Sequence, residues 1–217
     1  MADTGQKRAG WAGWAAAALA ALGALALGYM LLQAASKPGP NFLKQEAPAP
    51  AGYARFAQGS LAKLVVLEPP PPAPAQPIYD GGGEMLTLAA LPGKVKLVNL
   101  WATWCIPCLT ELPSLAALQR EYGPKGLAVV AINIEPPAKL DRATEMLARL
   151  SEGGLAFHSD PSLELPLQLA TPEQPIGLPI TVLYGADGRE KARILGGADW
   201  ASPEAKALID QALAEAG

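Results

Sequence analysis

Eight residues narrow the folds open to this chain more than any others: Trp101-Ala102-Thr103-Trp104-Cys105-Ile106-Pro107-Cys108. They hold both of its cysteines. A near-continuous apolar run, Val95 to Trp101, leads in and reads as a strand buried on both faces. Leu109, Leu112, Leu115, Ala116 and Leu118 lead out at the three-four spacing of a helix. Strand, tight turn and helix form the setting in which C-x-x-C reads as a redox pair rather than a metal clip. Cysteines three apart at a helix start share one face. They come within the roughly 5.5 Å Cα separation a disulfide needs.

The two positions differ in chemistry. Cys105 falls where a helix leaves backbone N–H groups unpaired, and those groups favour a thiolate. A lowered pKa makes it the better nucleophile. Pro107 suits the first turn, where its missing N–H is not needed. Cys108, one turn further in, is the expected shielded, resolving thiol. A zinc site needs about four ligands. The chain offers two cysteines and one histidine, His158, far away in sequence. A purely structural disulfide closing so small a ring removes little unfolded-chain entropy.

The 217 residues suffice for one ordinary domain with additions, and half are hydrophobic, so a core is available. A net charge of −3, with no basic block, gives no sign of a nucleic-acid partner. No metal or cofactor is expected, and the protein is expected to act as a monomer.

At the N-terminus, Lys7 and Arg8 precede an uncharged run from Ala9 to Ser36. Its apolar heart, Trp11 to Leu32, would span about 33 Å as a helix, the thickness of a bilayer core. Trp11, Trp14 and Tyr29 lie near its ends, as interfacial aromatics do. The run exceeds the h-region of a cleaved signal peptide, although Ala34-Ala35-Ser36 permits cleavage. Residues 1–36 are therefore expected to be a membrane anchor. The two basic residues place its start in the cytoplasm and the rest outside. Residues 37–75 read as a proline-rich spacer, polyproline II in character, with an apolar interruption at 53–67 that is a candidate for docking on the domain.

The domain proper is expected over 76–217. A short strand or turn is expected at Met85 to Ala90, a second buried strand at Leu127 to Ile134 and a helix at 138–151. A short strand at Leu155 to Phe157 and a short helix at Pro161 to Ala170 follow. Ile180 to Tyr184 and Arg189 to Leu195 form a hairpin around Asp187-Gly188. Ser202-Pro203 caps a last helix. This order gives an α/β fold with a central mixed sheet flanked by helices.

At the cysteines the chain resembles the thioredoxin superfamily, whose active site is W-C-x-P-C. Pro113 matches the proline within that family's active-site helix. Leu178-Pro179-Ile180-Thr181 falls where the superfamily has a cis-proline, although X–Pro bonds taken alone are mostly trans. Val98 to Cys108 is similar to the V-N-L-W-A-T-W-C-x-P-C of TlpA, the membrane-anchored thiol–disulfide oxidoreductase family of bacteria. Glu111 with Leu112-Pro113 matches its C-x-x-E-x-P. Gly196-Gly197-Ala198-Asp199-Trp200-Ala201-Ser202 resembles its G-P-A-E-W-A-S. The resemblance implies a thioredoxin-like fold, a dithiol reductant of exported protein disulfides, and a bacterial inner-membrane anchor with the domain in the periplasm. It implies clients among cytochrome oxidase assembly factors, copper-handling thiols included, and re-reduction by a membrane electron donor. The cytochrome c maturation thioredoxin, which reduces apocytochrome or haem-handling thiols, is the nearest alternative. It carries G-x-P-E-T where this chain has Gly177-Leu178-Pro179-Ile180-Thr181.

Thioredoxin has a buried aspartate where this chain has Asn99 and a lysine where it has Ala131. Neutral residues at both places avoid an unpaired buried ion, and they remove thioredoxin's proton acceptor. Glu111, one turn past Cys108, is the candidate substitute; the competing reading is a carboxylate that only complements the helix dipole. Trp104, Pro107, Pro179 and Asn99 are expected to shape the site, and Trp101 and Leu178 to face the substrate. His158, in a loop before Asp160, is expected to be solvated or capping. A binding module without turnover, holding copper or a client on its thiols, wants a further Met, His or Cys near the motif, and none is adjacent.

Overall fold

The computed structural model describes residues 29–30, 52–171 and 175–217. The chain divides into units 1–48 and 49–217. The expected anchor lies outside the described residues except for Tyr29 and Met30. Among the described residues no helix is long and apolar enough to cross a membrane.

The second unit is built on a sheet whose strands are β1 (Leu64–Val65), β2 (Ile78–Asp80), β3 (Met85–Leu86), β4 (Val95–Trp101), β5 (Leu127–Asn133), β6 (Phe157–Ser159), β7 (Ile180–Tyr184) and β8 (Glu190–Leu195). Their order is β1-β8-β7-β4-β5-β6-β2-β3. Strands β4, β5 and β6 run parallel, and β7 and β8 continue antiparallel on the other side of β4. The helices are α1 (Ile106–Tyr122), α2 (Leu140–Leu150), α3 (Glu164–Leu169) and α4 (Pro203–Glu215). This is a thioredoxin-like mixed sheet with helices on both faces.

Strand alternation sorts the core into two layers. Val95, Leu97 and Trp101 of β4 point to the same side as Val129 and Ala131 of β5, under Leu112, Leu115, Leu147 and Leu208 of α1, α2 and α4. Val98, Leu100, Val130, Ile132 and Val182 point to the other, against Leu165 and Leu169 of α3. Asn99 shares parity with Leu97 and Trp101, so it faces α1. Its parallel neighbour is Ala131, which leaves no charge at the pair of positions where thioredoxin has one.

Helix α1 runs through Pro113 and ends at Tyr122, before Gly123-Pro124. The chain then turns through Gly126 at φ 108°, a backbone that favours glycine, and its carbonyl accepts from the Lys94 and Val95 amides. The Ser202 hydroxyl caps α4 by accepting from the Ala205 amide at 3.3 Å.

The apolar interruption at 53–67, a candidate for docking, is docked and moves the domain's start ahead of residue 76, and His158 departs from the sequence reading. Residues 52–67 belong to the same compact unit as the rest: Tyr53, Phe56, Leu61 and Leu64 enter the α1-side core, and β1 pairs with β8. The proline run behind it lies along the β7–β8 hairpin, where the Pro71 carbonyl accepts from the Glu190 amide at 2.9 Å. His158 is neither in a loop nor solvated. It lies in β6, buried between β5 and β2, and burial pushes its pKa down. Strand β6 starts two residues later than expected because its pairing with the end of β5, from Ala131↔Phe157 to Asn133↔Ser159, sets its register.

Candidate active site

Strand β4 ends at Trp101, and Ala102 to Trp104 turn the chain into α1. The turn is closed by the Cys105 amide donating to the Ala102 carbonyl at 3.1 Å. Glu135, just beyond β5, braces it: its carboxylate accepts from the Thr103 amide at 2.6 Å and the Thr103 hydroxyl at 2.9 Å. The Asn133 side chain donates to the same carboxylate at 3.2 Å.

Cys105 is the N-cap of α1, and its Sγ accepts from the Cys108 amide at 3.3 Å. That donor faces the sulfur in the way an N-cap oxygen is normally faced. When the pair is open, the same amide and the helix N-terminus stabilise a thiolate at Cys105. Cys105 and Cys108 are joined as a disulfide, with Cα atoms 5.3 Å apart. Cys105 is 5% exposed and Cys108 fully buried, so in this oxidised state the expected nucleophile reaches solvent only narrowly, yet is the accessible one of the two.

Glu111 lies one turn beyond Cys108 on the same face of α1 and is 3% exposed. Asn99 Nδ2 donates to its Oε1 at 2.6 Å. The Ala198 amide and Trp200 Nε1 donate to its Oε2 at 3.1 and 3.3 Å. Asn99 Nδ2 also reaches Thr181 Oγ1 at 2.8 Å, while Asn99 Oδ1 has no partner among the described residues. Burial dominates and pushes the Glu111 pKa up to about 7, against the three donors, which pull it down. A carboxyl with that pKa takes and gives a proton near neutrality, which a carboxylate merely complementing a helix dipole does not require.

The remaining expected site residues separate into two sets. Trp104 is 66% exposed, and Leu178 precedes the buried Pro179 across a cis peptide, as the resemblance implies. Trp104 and Leu178 line one groove of about 410 Å³ with Ile134, Pro166, Leu167 and Ile176. Pro107 lines a different cleft, of about 510 Å³, with Glu111, Ser60, Ser114 and Asp199. Trp101 joins neither. It is fully buried in the α1-side core, so the expectation that it faces substrate is corrected. Its strand parity, shared with Leu97, turns it under α1. Counting by twos along β4 would have shown this.

Sequence reasoning passed over Glu135, Thr181 and Trp200. Glu135 carries one usable signal, its place at the carboxyl end of a parallel strand, where α/β sites gather. Thr181 and Trp200 meet Asn99 and Glu111 through contacts across more than eighty residues of chain.

The Redoxin family matches residues 68–209, well over half of the chain. The protein belongs to the Redoxin family. Similar proteins include HelX, a thiol:disulfide interchange protein of Rhodobacter capsulatus, 32% identical over 48% of this chain and 53% of that one. ResA, a thiol-disulfide oxidoreductase of Bacillus subtilis, is 33% identical over 39% of this chain and 41% of its own length. The chain thus spans about half or less of these curated relatives. A solved structure of a putative thiol:disulfide interchange protein DsbE from Chlorobium tepidum covers 70% of this chain and 99% of its own, with TM-score 0.55 and 28% identity. This Redoxin-family chain carries the Cys-x-x-Cys pair of a thiol–disulfide oxidoreductase of the thioredoxin superfamily, here closed as a disulfide.

Proposed function

We propose that this protein is a dithiol reductant of client protein disulfides. Cys105 is its nucleophile, Cys108 its resolving thiol and Glu111 its proton acceptor. The observation that carries the reading is the buried Glu111 carboxyl, with a pKa of about 7, one turn from Cys108. The Cys105 thiolate attacks one sulfur of the client disulfide; the client's S–S bond breaks and its first thiolate leaves. Cys108 gives its proton to Glu111, and the resulting thiolate attacks Cys105 Sγ. The mixed disulfide breaks, the second client thiolate leaves and takes up a proton, and the Cys105–Cys108 bond closes. Two electrons pass from this protein to the client, and a membrane dithiol donor returns them.

The matches to HelX and ResA support the cytochrome c maturation reading over the oxidase-assembly reading. The groove beside the cysteines is consistent with it. It is lined mainly by apolar side chains, and an extended polypeptide carrying a cysteine pair, as an apocytochrome's haem-attachment segment does, suits it better than a folded copper site. The proposed setting is the bacterial inner membrane, crossed once by the N-terminal segment, with this domain in the periplasm as a monomer.

A Cys108→Ser variant tests the reading. It leaves the first attack intact and removes resolution, so it should accumulate mixed disulfides on Cys105 that mass spectrometry identifies. Apocytochrome or haem-handling thiols are the expected partners. Copper-handling oxidase assembly proteins would restore the other client class, and no mixed disulfide at all would refute the reductase reading.

A further inference from the structure

The cleft on the Glu111 side is assembled from distant parts of the chain. Trp200 is fully buried, and its indole N–H ends on Glu111 Oε2, beside the Ala198 amide. Its backbone amide donates to Ser114 Oγ at 3.2 Å, and that hydroxyl donates to the Glu111 carbonyl at 2.8 Å. The 196–202 loop is thereby tied to α1 at two points. From outside, Ser60 holds the same loop: its hydroxyl reaches the Asp199 carbonyl at 3.2 Å and Ser202 Oγ at 2.9 Å.

We propose that Trp200 is a positioning residue for thiol–disulfide exchange: its indole N–H holds Glu111 as a carboxylate, ready to take the Cys108 proton. The inference rests on the reading of Glu111 as proton acceptor. The hold is shared with two other neutral donors, Asn99 Nδ2 on Oε1 and the Ala198 amide on Oε2. On α1 the neighbours are the bonded Cys108 and the neutral Ser114; on β4 and β7 they are the neutral Asn99 and Thr181. The loop adds Asp199, and Ser60 carries Glu204 on its amide, both acidic. No lysine, arginine or histidine is among the residues lining the cleft. The carboxylate is therefore kept by neutral donors alone, and Trp200 supplies the one side-chain donor on Oε2. Burial opposes the charge, so each donor shifts the balance directly.

The test uses the full chain in its oxidised form, where neither thiol titrates. Tryptophan labelled with ¹⁵N at the indole gives five side-chain signals, and Trp200→Phe assigns one of them. In the unsubstituted protein the Trp200 indole signal should titrate with a midpoint near pH 7, together with the Glu111 carboxyl carbon. Trp200→Phe removes the donor and keeps an aromatic ring. It should raise the Glu111 midpoint by about one pH unit. The charged fraction at pH 7 would then fall from about half to about a tenth, so reduction of a protein disulfide at that pH should slow about fivefold and recover at pH 9. An unshifted Glu111 midpoint in Trp200→Phe overturns the proposal. If that variant does not fold, the absence from the unsubstituted protein of any indole signal that titrates with a midpoint near pH 7 overturns it equally. A shifted midpoint with an unmoved rate profile upholds the wiring between Trp200 and Glu111, and refutes instead the role of Glu111 as proton acceptor.

Discussion

The two cavities beside the cysteine pair are of similar size and differ in how many polar groups line them. The groove on the Trp104 side is walled mainly by leucine, isoleucine and proline from α3, the chain just beyond β5 and the loop before cis-Pro179, with Glu135 its one charged residue. The cleft on the Glu111 side sets Ser60, Thr110, Ser114 and the acids Glu111 and Asp199 among Pro107, Gly197 and Ala198. In the proposed reaction a client seated over Cys105 against the apolar groove excludes water there, yet Cys108 must still lose a proton. The division provides for both: apolar contact on one side, and on the other a buried carboxyl beside a polar cleft. Substitutions on the two sides should therefore separate client affinity from proton handling.

Glu111→Gln is the strongest probe of the polar side. It removes the base and should slow reduction of a protein disulfide about 100-fold at pH 8, the low end of general-base effects. The rate should also lose its rise through pH 7. An unchanged rate between pH 5 and 9 would leave Glu111 as a helix residue only. Stability should change in the opposite sense. Glu111 has its pKa raised from 4.5 to about 7 on folding. Between those values the folded protein binds more protons than the unfolded chain, so this group makes stability fall as pH rises from about 4.5 to about 7 and stay low above it. The loss is about 3 kcal/mol for a shift of this size. Glutamine carries no charge and avoids it. The Asn99 amide can turn to bring its unpartnered Oδ1 to the new Nε2. The variant should be more stable than the parent at pH 8 and equal to it at pH 4, measured by urea unfolding. Lower stability at pH 8 would mean that the donors outweigh burial.

How much of this was legible in the sequence follows the range of the contacts involved. The β4–turn–α1 unit was readable because its signals are local: an apolar run, cysteines at helix spacing and Pro107 in the first turn. The β7–β8 hairpin and the Ser202 cap were readable for the same reason. That the 53–67 segment could dock was readable from its apolar residues; that Leu61 and Leu64 dock at β8 and α4 was not, since nothing near them in the chain names those partners. His158 read as a loop residue because β6 has three residues, too few for a period, and owes its place to strands on both sides. The Glu111 position was readable as a spacing from Cys108. Its protonation behaviour was not, because that depends on burial under Trp200, and Trp200 arrives from 89 residues away.

On the apolar side, Trp104→Ala removes an exposed ring that covers none of the core, so it should leave folding unchanged. It should raise KM for a protein client about tenfold, the loss of one aromatic contact at an interface. Reduction of a small disulfide such as oxidised glutathione should be unaffected. An equal loss for both substrates would place Trp104 in the chemistry rather than in the docking.

The smallest expected effect concerns a feature the two sides share. No lysine, arginine or histidine is among the residues lining either cavity, and Ile106 and Pro107 between the cysteines carry no charge. A strongly oxidising pair needs its reduced form heavily stabilised, with a thiolate pKa of about 3.5 and a potential of about −120 mV. Here the thiolate has the helix N-terminus and the Cys108 amide, the same kind of support that thioredoxin has, and a carboxyl lies one turn past the pair. The potential is therefore expected below about −200 mV, on the reducing side of protein disulfide isomerase, when equilibrated against glutathione. Ile106 is exposed at the first helical position, so Ile106→His adds a cationic donor beside Cys105 without disturbing the core. It should raise the potential by about 30 mV at pH 6, a tenfold change in the exchange equilibrium, and by less at pH 8, where the imidazole is neutral. A parent potential near about −120 mV would make the protein an oxidant. It would mean that a charge outside both cavities reaches the sulfur, and the division between the two sides would no longer account for the chemistry.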